Sequence, residues 1–124
     1  MAFEPLSRAY AIPKDDPHRD AVMEKCLRDA AAAPLAIFDL ACEAIEILWD
    51  FAAKGSKLVI SDAATGASFC RAALQGAAVN VKVNTRLMKD RAYAQEIDEH
   101  IDRGLEKYSA MAEMIFETVY RQFC

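Results

Sequence analysis

The residues best suited to chemistry lie in one stretch, "GSKLVISDAATGASFCRAALQGAAVNVKVN", positions 55–84. Its one carboxylate, Asp62, follows Ser61 where a helix is expected to begin. The positive end of a helix keeps such a carboxylate ionised. An ionised carboxylate can stabilise a developing cation and carry a proton to or from it. Further along, Asn80 and Asn84 offer carboxamides that can read a donor–acceptor edge. Gly66 and Gly76 leave room for a flat ligand, and Lys57 and Lys82 could meet an anionic tail.

The same residues admit a purely structural explanation. On a helix, Gly76, Asn80 and Asn84 are spaced by four and share a slowly drifting stripe, with Asp62, Gly66, Ala73 and Ala77 on a neighbouring strip. A mid-helix glycine costs about 1 kcal/mol relative to alanine, so something must offset it. Small side chains let a second helix approach closely. The amides would then satisfy polar groups at that contact, where an unpartnered buried amide costs about 1–3 kcal/mol. Pattern alone leaves ligand groove and helix contact both open.

These residues need long helices to position them. The chain has 124 residues, 54% hydrophobic and 27% charged, with only four glycines and four prolines. Alanine is about a fifth of the sequence, a composition of long helices and few turns. Residues 1–19, with Pro5, Pro13 and Pro17, read as an irregular lead-in, and residues 20–124 as a single helical domain. Asp15, Asp16 or Asp20 could cap the first long helix, which carries apolar positions at Met23, Cys26, Leu27, Ala30, Ile37, Leu40, Ala41, Ala44, Ile45, Leu48 and Phe51. Pro34 predicts a kink there, and Lys54-Gly55 a stop with Gly55 in the left-handed conformation. After the short apolar bridge "SKLVI", Ser61 or Asp62 caps a second helix running to about residue 84. Asp90 caps a third, whose apolar positions from Tyr93 through Ile97, Ile101, Leu105, Tyr108, Met111, Ile115 and Val119 to Phe123 recur every three or four residues. The expected fold is all-α: an antiparallel bundle of three main helices, the first kinked at Pro34. Phe38, Ile47 and Trp49 fall off the main stripe of the first helix, and an extra apolar face of that kind predicts a homo-oligomer.

Other function classes find little support. The net charge is −4, with no basic run, so no nucleic-acid partner is expected. No apolar stretch approaches the roughly 20 residues of a membrane span, and the amino terminus has no apolar signal core, so a cytoplasmic location is expected. Cys26, Cys42, Cys70 and Cys124 form no C-x-x-C pair, and His18 and His100 stand alone, so no metal site is expected.

Four landmarks, in order along the chain, resemble one family. They are Tyr10-x-Ile12-Pro13-Lys14, then Pro34-Leu35-Ala36, then the step from Gly55 to Ser61-Asp62, and last Gly76-Ala77-x-x-Asn80-Val81-x-x-Asn84. Together they resemble the formiminotransferase-cyclodeaminase family, which includes formimidoyltetrahydrofolate cyclodeaminases and methenyltetrahydrofolate cyclohydrolases. The resemblance implies an all-helical fold that dimerises and binds a tetrahydrofolate derivative, as substrate, between helices near the dimer contact. It implies either closure of a formimino group with loss of ammonia, or addition of water to a methenyl bridge. No separate cofactor is expected. Asp62 is the catalytic candidate, with Ser61, Gly66, Asn80, Asn84, Lys57 and Lys82 as substrate-binding candidates. The family's leading part carries a P-x-x-G-G-G-S loop that these residues lack, which implies a partner subunit supplying those helices. The alternative is a non-catalytic homologue serving as a helical dimerisation or small-ligand-binding module.

Overall fold

The computed structural model describes residues 3–57 and 59–124, so Leu58, within the apolar bridge, lies outside the described residues. These residues form four helices, α1 (Phe3–Tyr10), α2 (Arg19–Lys54), α3 (Ile60–Thr85) and α4 (Arg91–Arg121), and no strand.

The all-helical architecture is as expected, but the lead-in contains a helix of its own. The reason is packing: Ala9 is buried, and Leu6 seals a small cluster of Leu27, Ala31, Met88 and Ala94. The link into α2 is held by Arg19, whose Nε donates to the Ile12 carbonyl at 3.0 Å. A kink at Pro34 is not confirmed, since α2 is one continuous span with Pro34 inside it. The caps also differ. His18 precedes α2 without a side-chain cap, and Asp16 instead accepts the His18 N–H at 2.8 Å. Val59 precedes α3, so Ser61 and Asp62 lie within its first turn rather than before it. Asp90 caps α4 as expected, accepting from the Tyr93 N–H at 3.1 Å. Gly55 is not left-handed, with φ −73° and ψ 158°. It is required for space, because a Cβ there would sit 2.4 Å from the Phe51 carbonyl oxygen.

Cross-helix contacts fix the directions. Arg28 meets Asp90, Asp39 meets His100 and Glu46 meets Tyr108, so α2 and α4 run parallel. Lys82 meets Asp102 while Arg71 meets Glu113, so α3 runs antiparallel to α4. The core between them holds Phe38, Ile45, Leu74, Val81, Ile101 and Ile115. Burying each such side chain contributes about 1.5–3 kcal/mol. Phe38, which the periodicity left off the main stripe, is fully buried, whereas Ile37, Leu40 and Phe51, assigned to that stripe, are exposed. The ring of Phe38 fits because α4 presents Gly104 to it. A Cβ at Gly104 would lie 2.7 Å from Phe38 Cε1. Among the described residues no helix is long and apolar enough to cross a membrane.

Candidate functional site

The small-residue stripe of α3 forms that helix's outward face. Asp62, Phe69, Ala73, Gly76 and Asn80 are exposed, and Gly66 and Asn84 are partly so. Gly66 has an internal reason to be small, since a Cβ would approach Leu48 of α2 at 3.3 Å. Gly76 has none, because a Cβ there would meet nothing within 4 Å.

Both carboxamides are tied to their own helix. Asn80 Nδ2 donates to the Gly76 carbonyl at 2.8 Å, and Asn84 Nδ2 donates to the Asn80 carbonyl at 2.9 Å. These bonds leave each carboxamide oxygen without a bond from the chain among the described residues, free to accept from an incoming group.

The seven candidates do not converge within one chain. Ser61, Asp62 and Lys57 cluster at the amino-terminal end of α3. Asn80 lies about 27 Å further along the axis, at 1.5 Å per residue, and Asn84 further still. Lys82 points elsewhere, its Nζ 2.9 Å from Asp102 and 3.8 Å from Asp98 on α4. Asp62 therefore has Ser61 and Lys57 for company, but neither asparagine. At its end of the bundle an open depression of about 380 Å³ is lined by Ile47, Asp50, Phe51, Lys54 and Gly55. It offers an aromatic and aliphatic floor beside the turn that leads to Asp62.

A second polar groove, absent from the sequence reading, lies between α2 and α4. His100 Nε2 is 2.7 Å from Asp39 Oδ1, and Tyr108 donates to Glu46 at 2.5 Å. The hydrogen bond to Glu46 pushes the Tyr108 phenol up to about 12. Burial, and then Asp39 and Glu46, push the neighbouring Cys42 thiol up to about 11. Both groups keep their protons at neutral pH, and the two side-chain bonds link α2 to α4 across the groove. Its partners are some sixty residues apart in sequence, too far for any local spacing to reveal them.

The all-helical fold agrees with what comparison shows. The family model for formiminotransferase-cyclodeaminase matches residues 1–103, and the chain belongs to that family. A methenyltetrahydrofolate cyclohydrolase of Methylorubrum extorquens is 35% identical over 122 residues, covering 95% of this chain and 59% of that protein. A formimidoyltransferase-cyclodeaminase of Sus scrofa is 28% identical over 120 residues, covering 94% of this chain and 22% of that protein. The fold is similar to the crystal structure of a formiminotetrahydrofolate cyclodeaminase from Thermotoga maritima, with a TM-score of 0.71 at 24% identity, over 97% of this chain and 56% of that one. The chain thus spans somewhat over half the length of its cyclohydrolase relative.

Proposed function

We propose that the protein acts in one-carbon folate metabolism as a methenyltetrahydrofolate cyclohydrolase, with Asp62 as its central carboxylate. The supporting observation is the 35% identity to a cyclohydrolase along 95% of this chain. In that reaction a water oxygen bonds to the cationic methenyl carbon and one carbon–nitrogen bond breaks. The freed nitrogen takes one proton of the water, and the other leaves to solvent. Asp62, at the positive end of α3, is placed to stabilise the cationic carbon and to accept a proton from the attacking water. The tetrahydrofolate derivative binds between helices. Its flat ring rests on the apolar floor of Ile47 and Phe51, at the turn that leads to Asp62, and Lys57 of that turn reaches its anionic part. Asn80 and Asn84 orient the ligand where a second chain brings them near. No metal or separate cofactor takes part, and the site is one found in the cytoplasm. The cyclodeaminase reaction, closing a formimino group with release of ammonia, uses the same carboxylate for the same charge.

A second reading rests on the separation of Asp62 from Asn80 and Asn84 along α3. Here the chain is a non-catalytic module that dimerises or binds a small ligand. The near-ultraviolet absorbance of methenyltetrahydrofolate separates the two. The enzyme reading predicts loss faster than in buffer, together with a raised melting temperature in excess reduced folate. A buffer-level rate with no thermal shift assigns the chain to the second reading.

A further inference from the structure

The depression at the carboxyl end of α2 carries two charged groups on an otherwise apolar lining. Ile47, Phe51 and Gly55 make the apolar part, and Asp50 and Lys54 the charged part. Ile47 and Phe51 are each 56% exposed, so both side chains are open to a ligand. Asp50 and Lys54 stand four residues apart on α2, the spacing at which a carboxylate and an ammonium on one helix can reach each other. Glu99 with Arg103, and Glu117 with Arg121, close pairs of that spacing on α4. Among the described residues Asp50 and Lys54 close none, and neither has another ion-pair partner. Two acceptor oxygens and a three-donor ammonium therefore border the apolar floor, about one helical turn apart.

We propose that Asp50 and Lys54 read the pyrimidine edge of the folate ring and so select a 2-amino-4-oxo ring over its relatives. The inference rests on the folate reading above and adds two residues that reading leaves without a task. On that edge the 2-amino group and the neighbouring N3–H are donors, and the 4-oxo oxygen is an acceptor. Asp50 accepts from both donors, one with each carboxylate oxygen, and Lys54 donates to the oxo oxygen. The ring lies on Ile47 and Phe51.

The chemistry favours this match over other uses of the two groups. A carboxylate only accepts, and its two oxygens suit two parallel N–H donors in a charge-assisted pair. An ammonium only donates, which suits a carbonyl oxygen. The two charges on one apolar floor thus fit a flat ring whose edge carries donors beside an acceptor. The 2-amino group points away from the methenyl bridge, so ring recognition at Asp50 and chemistry at Asp62 concern different parts of the ligand. A 2,4-dioxo ring places an oxygen where the 2-amino group was. Asp50 then faces an acceptor with nothing to donate, and that ring is rejected.

Isothermal titration of the purified chain with 6,7-dimethylpterin and 6,7-dimethyllumazine, which differ at that 2-position, tests this. The wild type binds the pterin at least about tenfold more tightly. Asp50→Asn removes or reverses the preference, because a carboxamide presents a donor beside its acceptor. Lys54→Ala weakens both rings alike, since both keep the 4-oxo group. Asp50 is exposed, so its variant keeps the wild-type helicity in circular dichroism. No binding of either ring, equal affinity in the wild type, or a preference that survives Asp50→Asn each overturns the assignment. Failure of the enzyme reading is seen separately. A chain that prefers the pterin but leaves methenyltetrahydrofolate untouched keeps this site and loses the activity, and an active chain without the preference does the reverse.

Discussion

Gly104 and Gly76 are both glycines in the middle of helices, but only at Gly104 would a Cβ meet a neighbour. The Phe38 ring occupies the space beside Gly104, so Gly104→Ala forces a fully buried side chain to move and should cost about 1–3 kcal/mol. Thermal denaturation reads this as a clear fall in melting temperature, and an unchanged or higher value would show that the ring is not fixed there. Cys42 makes a second test at this scale. With its thiol pushed up to about 11, iodoacetamide should label the exposed Cys124 readily at pH 8, and Cys42 only as the pH approaches that value. Equal labelling of both at pH 8 would contradict the packing around Cys42. Asp62, Asn80 and Asn84 could be named as candidates from the sequence because residue type and spacing single them out. The roles of Gly104 and of the Asp39–His100 pair were not, because their meaning lies in a neighbour from another helix. Lys82 could be named but not aimed, since its direction is set by Asp98 and Asp102 on α4.

The turn between α3 and α4 is held by ionic groups that close both helix ends. Arg91 donates to the carbonyls of Thr85 and Met88, each at 2.9 Å, and Glu24 of α2 accepts the N–H groups of Lys89 and Asp90, also at 2.9 Å. Arg91→Ala strips partners from the carboxyl end of α3 and should cost about 1–2 kcal/mol in urea unfolding, and a loss near zero would show the turn to be held without it. Between α2 and α4 the Tyr108–Glu46 bond gives a pH signature. The folded phenol, near 12, holds its proton where the unfolded one, at 10.0, has begun to lose it. Stability from this bond is therefore complete below about pH 10 and falls as the pH rises toward 12. Tyr108→Phe should flatten that part of the stability curve relative to wild type, and an identical alkaline slope would remove the bond from the account. Apolar residues recurring at helical spacing made α2 and α4 legible over 36 and 31 residues, although the structure has four helices where three were expected. Helix α1 was hidden by Pro5 and by its eight-residue length, which only docking on α2 stabilises. In α2 two apolar stripes run side by side in an alanine-rich helix, and periodicity could not say which one faced inward.

At the scale of the whole molecule, α3 leaves Asp62, Phe69, Gly76 and Asn80 exposed and α2 leaves Ile37, Leu40, Ile47 and Phe51 exposed, while Asp39 and Tyr108 are occupied with internal bonds. In the proposed function a second chain brings Asn84 near the Asp62 of its neighbour. Shared sites make two inactive proteins capable of rescuing each other. Asp62→Asn and Asn84→Ala are each expected to abolish cyclohydrolase activity while remaining dimeric. Mixed in equal amounts and allowed to exchange subunits, they form hybrids carrying one intact site, and about a quarter of the wild-type rate should return. The rate of methenyltetrahydrofolate absorbance loss in that mixture is the most direct measurement. Recovery to about that level is what a site shared between two copies predicts. A mixture as inactive as its components, with hybrids shown to have formed, would contradict it.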